Sequence, residues 1–162
     1  EQESFGYPLS AVMSNQGDIY ILDSENSRIV KFDIFGTFIQ NFGSYDYGKY
    51  ALSKPKQLAI SNRNNIYVID GKQIIIFDQY GNGIGKISGV EDFTSIRIIF
   101  EWMTVSTVKK IFLANLNSPD MSLKEITFES TQKVPEEIKS SFIFNDKLYI
   151  LSKEVILVFK KI

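Results

Sequence analysis

The chain has 162 residues, of which 44% are hydrophobic and 14% aromatic, enough apolar material to bury a sizeable core in one compact unit. Eighteen basic against nineteen acidic side chains leave no electrostatic footprint for nucleic acid or an anionic membrane surface. The absence of both Cys and His removes thiol and imidazole catalysis, disulfides and the usual zinc and copper ligand sets.

Apolar runs are about five residues long, far below the roughly 20 a membrane-spanning helix needs, so a soluble chain is expected. Glu1-Gln2-Glu3-Ser4 lacks the basic start and apolar continuation of a secretory signal, and the sequence leaves the compartment open.

The first predicted unit opens after Tyr7-Pro8 with a short strand at 9–13, a turn at Asn15-Gln16-Gly17 and a second strand at 18–23. Asn and Gly supply the backbone freedom that hairpin turns require. A polar loop, Ser24 to Ser27, leads into a strand at 28–33 that alternates polar and apolar as a half-buried strand does. Phe35-Gly36 turns the chain again into a strand at 37–42, which completes a four-stranded meander.

The second unit repeats the first, with strands expected at 57–60, 65–70, 73–78 and 84–87. Its second strand, Ile66-Tyr67-Val68-Ile69, is apolar on both pleat faces, as a strand covered on both sides by neighbouring sheets would be. In the third unit, strands are expected at 95–103, 108–115 and 123–128, with a longer loop at Leu116 to Met121 between the last two. The fourth unit gives strands at 141–144, 147–151 and 155–159, and residues 135–138 are the likeliest place for a short helix.

The organising feature is the recurrence of Asn65-Ile66-Tyr67-Val68-Ile69-Asp70 as variants at 18–23, 110–114 and 147–152. With Tyr20, Tyr67, Phe112 and Tyr149 as markers, the spacings are 47, 45 and 37 residues, the scale of a repeat architecture whose units bury their faces against one another. The expected fold is all-β: a single domain at 1–162 of about four four-stranded antiparallel blades, at 8–43, 55–90, 94–130 and 139–162.

Gly17-Asp18-Ile19-Tyr20-Ile21-Leu22-Asp23, followed by Asn26-Ser27-Arg28-Ile29-Val30-Lys31-Phe32-Asp33-Ile34-Phe35-Gly36, resembles the repeat of the NHL β-propeller family. Leu52-Ser53-Lys54-Pro55-Lys56-Gln57-Leu58-Ala59-Ile60 is similar to that family's way into a new blade, although Gly71-Lys72-Gln73 lacks the Arg found at Arg28. The good match covers about half the chain, and units three and four keep only the apolar skeleton and the closing Phe128 and Phe159.

The resemblance implies a propeller, complete or an open arc. Propellers span about four to eight blades, and three full units with most of a fourth leave closure to be decided. The last unit ends after its third strand, so Val155, Ile156, Leu157, Val158 and Phe159 are expected as an open edge. The chain is therefore not expected to seal a monomeric ring, and that edge or a terminal blade face is expected to be covered by another copy or a different subunit.

Propeller hydrolases similar to this family hold calcium with inward acidic groups, which would assign that role to Asp23 and Asp70. The equivalent positions in the other units are Ala114 or Asn115 and Ser152, and a structural turn role or an Asp23–Arg28 ion pair is the stronger reading. A related lyase depends on metal-binding histidines, which this chain lacks. Gly81-Asn82-Gly83-Ile84-Gly85-Lys86 superficially resembles a phosphate-cradling loop, but it joins two strands and does not open a helix, so it is read as a turn. No Ser has the Gly-x-Ser-x-Gly setting of a nucleophile elbow.

The expected function is a non-catalytic protein-interaction or scaffold module without cofactor or bound metal. Its partner is expected to be another protein or another copy of itself, with no nucleic acid and no membrane insertion. A calcium-dependent hydrolase or lactonase and an RNA-binding module are the alternatives, the latter disfavoured by the charge balance and only three Arg. The candidate partner surface is Tyr45, Tyr47, Lys49 and Tyr50, in the connection between the first two blades, with Glu25, Asn26, Pro119, Asp120 and Met121. Tyr gives large contact area at low entropic cost. The competing reading packs these rings on the blade rim, and Trp102 is read as core.

Overall fold

The computed structural model describes residues 4–128 and 134–160, so the ends of the third and fourth expected blades, at 129–130 and 161–162, lie outside the described residues. The chain divides into two compact units, Glu1–Val90 and Glu91–Ile162. There is no α-helix among the described residues, and every sheet is an antiparallel meander.

In the first unit, β1 (Pro8–Met13), β2 (Ile19–Asp23), β3 (Arg28–Phe32) and β4 (Phe38–Phe42) form blade one. A 3-10 helix, Tyr45–Tyr50, carries the chain to blade two: β5 (Pro55–Ile60), β6 (Ile66–Asp70), β7 (Gln73–Phe77) and β8 (Gly83–Ser88). The two blades share one core. Tyr20, Leu22, Ile29 and Phe42 from blade one meet Leu58, Ile66, Val68, Ile75 and Phe77 from blade two. Phe42 sits at its centre, with its ring 5.2 Å from Phe77 and 6.4 Å from Tyr20.

Polar atoms close the seam around that core. Ser10 Oγ accepts from Leu58 N at 3.1 Å, Asn64 Nδ2 donates to Gln16 Oε1 at 2.7 Å, and Lys31 Nζ donates to Gln79 O at 3.2 Å. All five positions of β6 are buried, as its two-sided apolar pattern requires.

Turn chemistry repeats with the strands. Ser14 Oγ accepts from Asp18 N and Ser61 Oγ from Asn65 N, while Asp33 Oδ1 and Asp78 Oδ1 each accept two amides of the following turn. Where blade one uses Gly17 at φ 91°, blade two uses Asn64 at φ 58°, a residue that tolerates the left-handed region. Gly83 is required for another reason: a Cβ there would lie 2.2 Å from the Tyr50 ring that packs over it.

The second unit holds blade three, β9 (Ser95–Ile99), β10 (Trp102–Ser106), β11 (Ile111–Asn115) and the two-residue β12 (Lys124–Glu125). Blade four comprises β13 (Ile138–Phe144), β14 (Lys147–Ser152) and β15 (Ile156–Lys160). Ile111, Ile138, Ile143, Leu148 and Ile150 form the core between them. A buried hydroxyl network joins these blades: Thr104 Oγ1 donates to Ser141 O and Ser106 Oγ bonds Ser141 Oγ, both at 2.8 Å.

Blade three corrects the expected strand assignment. Residues 95–103 are not one strand, because a two-residue turn at Phe100-Glu101 breaks them into β9 and β10, with Phe100 at φ 55°. Non-glycine residues rarely adopt that conformation, so no Gly, Asn or Pro advertises the turn. The expected second and third strands are consequently the third and fourth. Phe112 lies on β11, and the register places Met103 of β10, not Phe112, at the position equivalent to Tyr20 and Tyr67. Residues 135–138 form no helix; Ile138 opens β13 and donates its amide to Val108 O.

Tyr67→Ala is expected to lower unfolding free energy by about 3 to 5 kcal/mol, since it truncates a large ring that is 3% exposed. Phe35→Ala, at a ring 89% exposed, should change stability by no more than about 0.5 kcal/mol. Denaturant titration of the two variants checks the contrast.

Candidate interaction surface

Asp23 and Asp70 end the second strands of blades one and two. Each is fully or almost fully buried, and each gathers the chain that enters its blade. Asp23 Oδ1 accepts from Gly6 N at 3.1 Å and Tyr7 N at 3.0 Å, and its Oδ2 accepts from Asn26 Nδ2 at 2.8 Å and Arg28 Nε at 3.2 Å. Asp70 does the same with Ser53 N, Lys54 N, Ser53 Oγ and Gln73 Nε2.

These donors occupy the lone pairs a cation would take, so both carboxylates act as backbone clamps. Ser106 and Ser152 stand at the equivalent positions in blades three and four and make hydroxyl bonds instead. Burial by itself pushes the Asp23 carboxyl up, but hydrogen bonds from Asn26, Tyr7, Gly6 and Arg28 outweigh it and hold the group below the ordinary carboxylate value.

The tyrosine-rich connection divides between packing and exposure. Tyr47 and Tyr50 pack against the core between blades one and two, Tyr47 with its ring 6.3 Å from Phe77, and Lys49 Nζ lies 4.9 Å from the Tyr50 ring centroid. Tyr45 is 91% exposed. Glu25 and Asn26 are exposed in the β2–β3 turn, at the end of blade one from which β4 also departs, and Asn26 is engaged with Asp23.

Pro119, Asp120 and Met121 belong to a β11–β12 connection, not to a second-to-third-strand loop. They therefore sit at the opposite end of their blade from the β10–β11 turn, and the reason for grouping them with Glu25 and Asn26 does not hold. Trp102 is half-buried and lines an open cleft of about 290 Å³ with Leu113, Asn115, Asp120 and Lys124, so it is not a closed core residue. Gly81 and Gly83 flank the β7–β8 turn capped by Asp78, as the turn reading requires.

Exposed apolar residues share a sheet face on blade one and on blade four. On blade one, Leu9, Ala11 and Met13 of β1 point away from the shared core, with Met13 65% exposed, and Ile19 and Ile21 of β2 are only partly covered. Phe5 covers part of this face through a ring contact with Phe32 at 6.1 Å. On blade four, Leu151, Ile156 and Val158 point away from the core shared with blade three, with Ile156 67% exposed.

Beside these three, Phe142 and Tyr149 stack at 4.7 Å with an interplanar angle of 7°. The outer edge of β15 carries no partner strand among the described residues, whereas the other three sheets have four strands. Of these groups, the sequence reading singled out β15 alone. Met13, Leu9, Leu151 and the Phe142–Tyr149 pair would have emerged from sorting each strand's residues by pleat face.

A family model described as NHL repeat matches residues 5–32. The chain carries an NHL repeat. Protein brain tumor of Drosophila melanogaster is 33% identical over 79 residues, which is 47% of this chain and 7% of that protein. Among solved structures, YCF48 with a bound peptide superposes on 99% of this chain and 52% of its own, with TM-score 0.73 and 14% identity. A virginiamycin B lyase from Staphylococcus aureus, solved with quinupristin, does so over 99% and 57%, with TM-score 0.67 and 11% identity. The four meanders are thus propeller-type blades, a fold shared at low identity by diverse proteins, and the chain spans about half the length of these solved relatives.

Asp23→Asn is expected to destabilise blade one by about 1 to 3 kcal/mol at neutral pH, because it weakens a buried, charge-assisted clamp. The folded-state value is depressed, so the carboxylate's contribution is present above the ordinary carboxylate value of 3.8 and lost as pH falls through the folded-state value. The stability gap between wild type and variant should therefore be constant near neutrality and narrow in acid, as followed by urea titrations across pH.

Proposed function

We propose that this chain is a non-catalytic protein-interaction module whose contact surface is the open side of blade four. One observation carries the reading: an apolar face bearing Leu151, Ile156 and Val158 borders a strand edge unpaired among the described residues. An exposed apolar patch of this kind marks an association site, and a free strand edge supplies ordered donors and acceptors for an added strand. The YCF48 structure, with its bound peptide, supports the compatibility of such blades with a polypeptide ligand.

A calcium-dependent hydrolase is the weaker reading, because Asp23 and Asp70 are engaged by backbone and side-chain donors. RNA binding finds no support in a net charge of −1. Fold likeness alone assigns none of these roles.

Affinity purification from the source organism should recover a protein partner with the wild-type chain and lose it with an Ile156→Asp, Val158→Asp double variant of unchanged melting temperature. Equal recovery by both proteins would count against this surface. Millimolar calcium should leave the melting temperature where it is, whereas a specific site held at about a hundredfold its Kd would add about 2.7 kcal/mol of stability.

A further inference from the structure

We propose that the chain associates with a second copy head to tail, the outer face of blade four in one copy packing on the outer face of blade one in the other. The inference rests on the interaction reading above and names the partner. It starts from the one inter-blade contact of the first unit, in which Tyr20, Leu22 and Ile29 of blade one lie on Ile66, Val68 and Ile75 of blade two.

Strand register carries the donor half of that contact onto blade four. Asp23 pairs with Pro8 across a bulge as Ser152 pairs with Ile138, so Tyr149 and Leu151 stand where Tyr20 and Leu22 stand. Ile156 faces Leu151 as Ile29 faces Leu22. In blade one these positions are buried, while in blade four Leu151 is 44% and Ile156 is 67% exposed.

The same register carries the acceptor half onto blade one. Asp70 pairs with Pro55 as Asp23 pairs with Pro8, which makes Ile19 and Ile21 the counterparts of Ile66 and Val68, and Met13 the counterpart of Ile60. Blade two covers its set with blade one. Blade one leaves Met13 65% exposed.

One chain therefore presents both halves of a contact it already makes internally: the blade-four half is open at Leu151 and Ile156, and the blade-one half, where Val30 is buried and Phe5 covers part of the face, is open at Leu9 and Met13. A second copy supplies the missing half at either place. The interface is heterologous, joining different faces, and this distinguishes it from a symmetric pairing of like faces.

Met13→Asp and Leu151→Asp each spoil one half at an exposed position, with Leu9→Asp and Ile156→Asp as substitutes if either variant unfolds. In sedimentation at about 100 µM, a concentration at which micromolar affinity drives assembly, the wild type should exceed the 18.5 kDa of one chain. Each variant alone should be monomeric, and their equimolar mixture should regain a two-chain species, because one intact half survives on each partner.

A monomeric wild type overturns the proposal, as does a single variant that still self-associates or a mixture that fails to assemble. A monomeric wild type that still recovers a partner through Ile156 and Val158 would leave the interaction reading standing. Loss of both would remove the two together.

Discussion

A four-stranded blade with two apolar faces cannot satisfy both by itself, and this constraint organises the molecule. Blade two shows what satisfaction looks like: Ile66 and Val68 enter the core shared with blade one, and Tyr67 and Ile69 on the other pleat face are buried as well. Blades one and four each leave one face partly open, and those faces are built from the same residue positions that elsewhere are buried. Burial is worth about 25 cal/mol per Å² of apolar surface, so an open blade face is a standing drive for association.

Polar groups decide where each blade begins and how it aligns with its neighbour. The Asp23 and Asp70 clamps tie the incoming chain to the end of a central strand, and the Ser14 and Ser61 hydroxyls hold the preceding turn. In the second unit, hydroxyls of Thr104, Ser106 and Ser141 take over between the blades. Because every buried carboxylate or hydroxyl of this set is satisfied within the fold, the polar residues that first suggest chemistry are spent on architecture. In the proposed reading, binding then falls to the apolar faces and the β15 edge.

Blades one and two were legible because their turns use residues with a physical signature. Gly17, Asn64, Gly36 and Gly81 supply positive φ where the chain reverses, and Ile66 to Ile69 announce two-sided burial. Blade three hid its first hairpin because Phe100 takes a left-handed conformation that sequence patterns reserve for Gly and Asn. That one missed turn shifted the repeat by a strand, put Phe112 in the place of Met103 and moved the Pro119–Asp120–Met121 loop to the wrong end of its blade. The tyrosine connection divides for a different reason: Tyr47 and Tyr50 roof a core that exists only once blades one and two meet, as the rim-packing reading expects, while Tyr45 stays exposed.

Residue-resolved amide hydrogen exchange tests most directly whether blade coverage, rather than strand propensity, sets order in this chain. In dilute solution, the amides of β6 and β7 should exchange only by global unfolding, while those of β15 should exchange through local opening and become protected as protein concentration rises. Protection of β15 equal to that of β6 at the lowest concentration would contradict the account.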